Sequence, residues 1–257
     1  MRVLVTGATG FTGGHLARTL ARRGYQVRGL ARLRSQARDL EASRIEPVIG
    51  TLDDRAVLAR AAKDVEIVYH IAAVYRQAGV SKATYRAVNA TAVGDVIVAA
   101  AEAGARRVVH CSTVGVHGDI EHPPANEDAP LRPGDIYQVT KVEGERVARE
   151  AAERTGLPVT IARPSGIYGP GDRRLLKLFR GIARRRFVVL GSGNIFYHLT
   201  YVDDLVEGFR LCGEAAGAAI DPDGNTRGAR VYPWGRRLPA HRDPHCGLTP
   251  GGRGKRT

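Results

Sequence analysis

Six residues into the chain the sequence reads TGATGFTGGHL, with Gly7, Gly10 and Gly13 at three-residue intervals between a β-branched apolar run and an apolar-periodic stretch. A chain that leaves a strand and enters a helix in so few residues needs positions without a Cβ. The helix that opens there also aims free backbone amides and its positive dipole end at the turn. Glycines after a first strand and before a helix therefore make a cradle for a diphosphate. Gly7, Thr9, Gly10, Phe11, Thr12 and Gly13 are its candidate residues, and a tight turn that holds no ligand is the alternative reading.

The rest of the chain repeats this strand-then-helix unit. Short β-branched runs at Arg2–Thr6, Gln26–Ala31, Pro47–Ile49, Glu66–Ile71, Arg107–Cys111, Val159–Arg163 and Phe187–Leu190 read as strands. Apolar residues at three- and four-residue steps predict helices over Gly13–Arg23, Asp53–Ala62, Lys82–Ala103, Ile136–Thr155, Asp172–Arg184 and Asp203–Cys212. The expected fold class is α/β: a doubly wound parallel sheet of Rossmann type, with ligands beyond the C-terminal strand ends. This domain covers residues 1–212. Residues 213–257, dense in Gly, Pro and Arg and without periodicity, form a tail that reads as irregular or disordered.

Composition narrows the function classes. No run of about 18 apolar residues occurs, and the N-terminus turns glycine-rich too early for a signal peptide, so the expected location is the cytoplasm, with no membrane partner. Three cysteines, Cys111, Cys212 and Cys246, lack metal-ligand spacing and are odd in number, so no disulfide framework and no metal site is expected. The formal charge of +13 suits nucleic acid, but only five of the 39 basic residues are lysines and aromatics make up 6% without interleaving. A stacking platform is thus missing, and the expected partner is a small anionic ligand, not nucleic acid.

Tyr137 and Lys141 stand four residues apart on a predicted helix and so share one face. An ammonium near a phenol favours the phenolate, which makes a usable general base or acid. At the end of the second strand, Ala31 stands where an acid would bind an adenosine ribose, and Arg32 and Arg34 follow. Guanidinium forks there pair with an extra phosphate, which favours NADP, with NAD as the alternative and a solvated loop as the bland reading.

The spacing in TGATGFTGG resembles the extended short-chain dehydrogenase/reductase family of NAD(P)-dependent epimerase/dehydratase type, over residues 1 to about 212. The resemblance implies catalytic roles for Tyr137, Lys141 and Thr113, the last counted back from Gly118 in CSTVGVHGD. It implies cofactor contacts at Leu52, at Ala72 and Ala73 of HIAAVYR, at Lys141, and at Pro164 of ARPSGIYGPGD. Ser112 and Thr113 have strand-end capping as their alternative, and Asn89 a helix surface. His117 replaces the family's tyrosine and is given no catalytic part. Arg173, Arg174 and Lys177 are candidates for a substrate diphosphate or for a solvated helix face. The implied activity is oxidoreduction or epimerisation of a secondary alcohol or ketone, with a nucleotide-sugar as the substrate class and a homodimer through the helices Lys82–Ala103 and Ile136–Thr155. A ketone reductase of the same family and a non-catalytic dinucleotide-binding module are the alternatives. Family members continue with further strands and helices where this chain turns to glycine, proline and arginine, so the expected C-terminal substrate lobe is incomplete.

Overall fold

A computed structural model of the chain describes residues 1–121, 123–187 and 198–215. Six parallel strands form the sheet: β1 (Arg2–Thr6), β2 (Gln26–Ala31), β3 (Glu46–Ile49), β4 (Ile67–His70), β5 (Arg107–Cys111) and β6 (Val159–Ala162). Their order is β3-β2-β1-β4-β5-β6, so the winding reverses between β1 and β4, the place where folds of this kind take their ligands.

Side chains alternate across the pleat and feed two cores. Val3 and Val5 of β1 pack with Leu16 and Leu20 of α1 (Phe11–Arg22), Leu40 of α2 (Arg34–Ala42) and Phe209 of α8 (Val202–Glu214). Leu4 faces the other way, toward Leu58 of α3 (Arg55–Ala62), Val96 and Ile97 of α5 (Ala92–Glu102) and Ala148 of α6 (Ile136–Thr155). Burial on both faces is why the strands read as near-continuous apolar runs.

Several expectations are corrected. Helix α2 was not foreseen because RSQARDLEA buries only Ala37 and Leu40, too few for a visible period. The helix expected over Lys82–Ala103 is α4 (Lys82–Arg86), a π turn at Ala87–Thr91 and then α5. The helix expected from Asp172 starts at Leu176 as α7 (Leu176–Ala183), so Arg173 and Arg174 precede it. The strand candidate Phe187–Leu190 has Phe187 outside any strand, and 188–190 lie outside the described residues. A small parallel pair, β7 (Gly166–Tyr168) with β8 (Leu199–Tyr201), is too short to signal itself. Helix α8 passes the expected boundary at 212 and reaches Glu214, and 216–257 of the tail lie outside the described residues.

In the sheet, His70 and His110 are register partners with rings stacked 5.3 Å apart. His70 Nδ1 bonds the Thr6 hydroxyl at 2.7 Å, whereas His70 Nε2 and both His110 nitrogens have no partner among the described residues. Burial, with the Lys141 charge nearby, pushes the His70 imidazole down to about 3 and that of His110 well below its ordinary 6.5. Above pH 6.5 both states hold neutral rings. Below it the unfolded chain takes up protons that the folded sheet refuses, so folding free energy falls with falling pH by about 1.4 kcal/mol per unit for each ring. Urea unfolding should lose about 4 kcal/mol from pH 7 to pH 5. A flat profile over that range would show that the pair takes up protons without unfolding.

Candidate active site

The turn after β1 is shaped by two close approaches. Gly7 has φ +71°, and a Cβ there would lie 2.8 Å from the Ala72 nitrogen of the loop after β4. A Cβ on Gly13 would lie 2.3 Å from the Gly7 carbonyl oxygen. Helix α1 is thereby drawn down onto the turn, its N-cap Gly10 offering no side chain, and no acidic residue stands in its first turn. Helices α3, α4 and α6, by contrast, are capped by the Asp54, Ser81 and Asp135 side chains. The α1 amides are left for a ligand, and an anion of the diphosphate kind fits them. A Cβ on Gly10 would meet only the Gly7 carbonyl oxygen, at 3.3 Å, so the cradle is otherwise open there. Thr9 is exposed beside it, and Phe11 and Thr12 are half-buried.

The loop after β4 forms the far wall. Ala72 N–H donates to the Thr6 hydroxyl at 3.3 Å, which aligns Ala72 beside Gly7, and Ala73 is exposed. Asn89, fully buried in the π turn, accepts from Val74 N–H at 2.8 Å and donates to Val74 C=O at 3.0 Å and to the Thr140 hydroxyl at 3.1 Å. It is a clamp between this loop and α6, not a helix-surface residue. A π turn widens the helix by one residue and aims its side chain where a regular turn would not. Gly144 answers it: a Cβ there would lie 2.2 Å from the Asn89 carbonyl oxygen.

Tyr137, Lys141 and Thr113 come together at the C-terminal end of β5. Tyr137 and Lys141 are 9% and 1% exposed on the inner face of α6. Thr113 is half-buried, accepts Gly115 N–H at 3.1 Å and lies close enough to Tyr137 to favour its phenolate. Strand-end capping and a neighbouring phenol thus coexist at one hydroxyl. Lys141 Nζ donates to the Cys111 carbonyl at 2.6 Å, and burial lowers its pKa while Cys111 and Glu145 oppose that. The Tyr137 phenol moves the other way from the sequence-based expectation. Burial, Cys111 and the Tyr75 ring packed edge-on at 4.9 Å raise its pKa, and Arg76 and Thr113 only partly offset them. Desolvation of a phenolate outweighs the nearby Arg76 cation. The Cys111 thiol is likewise pushed up, to about 11, and is inert.

Other candidates separate. Ser112 does not cap the strand but donates to Glu145 at 2.5 Å. His117 is buried, its Nδ1 at 3.0 Å from the Ala129 carbonyl and its Nε2 at 3.1 Å from Arg163 Nη1. Pro164 is buried and accepts Val114 N–H at 3.0 Å, which ties the Thr113 segment to the end of β6. Tyr168 packs edge-on against Tyr201 at 5.4 Å. Arg174 lies over the Phe11 ring at 5.1 Å and the Tyr75 ring at 5.5 Å, held by Asp172 at 2.8 Å, so it spans the cleft mouth. Arg173 is exposed, and the Lys177 side chain lies outside the described residues. Leu52 packs against the second core. Arg32, just after β2, and Arg34, at the start of α2, are exposed and follow a C-terminal strand end, as Thr113 does after β5. Among the described residues no group of three or more His, Cys, Asp or Glu could hold a metal, and no helix is long and apolar enough to cross a membrane.

Sequence reasoning missed Thr140, Gly144, Glu145 and Arg163. Of these, Glu145 carried a signal: it falls one more four-residue step beyond Tyr137 and Lys141.

Comparison with known proteins agrees with this fold. A family model described as the NAD dependent epimerase/dehydratase family matches residues 3–222. A Stigmatella aurantiaca 4-hydroxy-2-methyl-3-oxo-4-farnesyl-3,4-dihydroquinoline-1-oxide ketoreductase is 30% identical over 83% of this chain and 65% of its own length. A 3 beta-hydroxysteroid dehydrogenase/Delta 5-->4-isomerase of Mycobacterium tuberculosis is 34% identical over 90% of this chain and 64% of its own. The chain therefore spans less than two thirds of each of these curated relatives. A solved dTDP-glucose 4,6-dehydratase double mutant from Streptomyces venezuelae, with NAD and DAU bound, superposes with a TM-score of 0.72 at 30% identity, over 82% of this chain and 71% of that one. The UDP-glucuronic acid 4-epimerase of Bacillus cereus in complex with NAD gives 0.72 at 26%, over 82% and 72%. With its glycine turn, its sheet order and these matches, the chain belongs to the NAD dependent epimerase/dehydratase family.

Proposed function

We propose that the chain is an NAD(P)-dependent oxidoreductase or epimerase acting on a secondary alcohol or ketone. The observation that carries this reading is the convergence of Tyr137, Thr113 and Lys141 on one strand end, next to the uncapped start of α1. A nicotinamide dinucleotide, when bound, supplies the hydride acceptor or donor. The α1 amides would hold its diphosphate and Lys141 its ribose. Thr113 Oγ1 accepts Gly115 N–H, so its own O–H would be shared between the Tyr137 phenol and a substrate oxygen and hold the two together. Tyr137 Oη would give that oxygen a proton in ketone reduction and take it back in alcohol oxidation. Tyr75 and Arg174 border the cleft mouth and help to keep water from the phenol.

The substrate class has two supports that differ. Structural neighbours carry nucleotide-sugars, as in a complex with UDP-glucose and NAD at 31% identity. Curated relatives include 3beta-hydroxysteroid dehydrogenases and a 2-alkyl-3-oxoalkanoate reductase, whose names point to apolar alcohols and ketones. The test is to release and identify any nucleotide from purified protein, then to assay both substrate classes at 340 nm. Consumption of cofactor on a ketone marks a reductase, and turnover of a nucleotide-sugar without net absorbance change marks an epimerase. Tight dinucleotide binding without turnover of either class leaves the binding module as the better reading. Two copies paired through α5 and α6 in the cytoplasm complete the proposal, and a monomeric mass in solution counts against the pairing.

The exposed Arg32 and Arg34 support NADP as the preferred cofactor. NADPH should bind more tightly than NADH, and Arg32→Ala should narrow that gap about tenfold, the worth of one charge-assisted phosphate pair. Equal affinity of the parent protein for both forms, measured by fluorescence titration, overturns the preference.

A further inference from the structure

We propose that Glu145 is a positioning residue of the active site, the buried counter-ion that holds Lys141 charged and fixes the segment carrying Thr113. The proposal rests on the catalytic reading above for its purpose, but its geometry stands alone. Tyr137, Lys141 and Glu145 follow one another at four-residue steps along the inner face of α6. Opposite them lies the end of β5 with the two residues that follow it. Thr113 lies by Tyr137, the Cys111 carbonyl accepts Lys141 Nζ at 2.6 Å, and Ser112 Oγ donates to Glu145 Oε1 at 2.5 Å. Three consecutive residues are thus pinned by one helix face.

A carboxylate that is 2% exposed needs a partner. Arg163, 5% exposed, supplies a fork, Nε to Oε1 at 2.9 Å and Nη2 to Oε2 at 2.6 Å. Its Nη1 donates to bare His117 Nε2 at 3.1 Å and to the Glu127 carbonyl at 3.3 Å. With the Arg163 donor at Nε2, His117 Nδ1 is left to donate to Ala129 C=O at 3.0 Å. Three hydrogen bonds from two side chains thus hold both oxygens of Glu145. Its charge also matters, because one carboxylate stands among two buried cations, Lys141 and Arg163. Burial disfavours the Lys141 ammonium, and Glu145 is among the groups that oppose that. The groups that face Lys141 from every packed element are Cys111 and His110 of β5, His70 of β4, and Tyr137 and Glu145 of α6. Of these, Glu145 alone is a carboxyl group, and it favours the Lys141 ammonium.

The test needs no substrate. The chain has five lysines, so labelling with lysine carrying 13C at Cε gives a spectrum in which Lys141→Arg assigns the buried signal. Glu145→Gln with Arg163→Gln removes both charges and leaves two amides that can bond each other. In that folded variant Lys141 should lose its proton about one pH unit or more below its wild-type midpoint. An unchanged midpoint overturns the counter-ion role. Should the double variant fail to fold, Ser112→Ala leaves the ion pair intact. Amide exchange across residues 112–116 should then quicken about tenfold while β1 and β4 stay protected. Unchanged exchange there overturns the role in fixing Thr113. Both readouts survive if the proposed reaction proves wrong, and either can fail while turnover is present.

Discussion

Tyr137→Phe should lower turnover by about a thousandfold while NADPH affinity stays within about twofold. Removing a single hydroxyl leaves the ring packing against Tyr75 intact but deletes the phenol proposed to carry the proton beside Thr113. The effect should fall on kcat, since the phenol acts on the oxygen only as its charge develops. Because burial keeps the phenol protonated in the empty protein, alcohol oxidation should climb with pH, whereas ketone reduction starts from the right protonation state at neutral pH. Retained turnover in Tyr137→Phe would transfer the proton chemistry to another group and leave Tyr137 as packing.

Two glycine variants should part in their effects although they lie one helical turn from each other. Gly13→Ala puts a Cβ 2.3 Å from the Gly7 carbonyl oxygen and 2.7 Å from its carbon, and backbone cannot yield without moving α1 off the turn. The expected cost is about 3 kcal/mol, or roughly 5 to 10 °C in Tm, together with loss of dinucleotide binding. Gly10→Ala meets nothing closer than 3.3 Å in the free protein. It should leave Tm within about 2 °C yet weaken dinucleotide binding about a hundredfold, because its methyl enters the space a diphosphate needs. Thermal melts with and without NADPH distinguish the two. If Gly10→Ala binds as well as the parent, the cradle lies elsewhere.

The parts of the site that announced themselves did so through local rules. TGATGFTGG is a statement about backbone within one turn, and Tyr137 with Lys141 is a statement about helical spacing. The strands β1, β4 and β6 are largely apolar runs because both of their faces are buried. Polar α2 and the short pair β7 and β8 obeyed no period long enough to be seen, which is why the first was passed over and the second absorbed into loop.

What sequence alone determined is the kind of fold and the kind of ligand: a wound parallel sheet with a glycine-lined turn for a dinucleotide, and a phenol and an amine on one helix face. Tertiary structure decided the electrical state of that pair. Lys141 is spent on the Cys111 carbonyl, and the phenol is pushed up because packing by Tyr75 strips its water. Asn89 became a clamp, and His117, Ser112 and Arg163 became a network around Glu145, through partners up to 51 residues away. Spacing along a chain sets which side chains share a face. Desolvation and hydrogen bonding depend on what the other elements bring to that face, and only folding brings it.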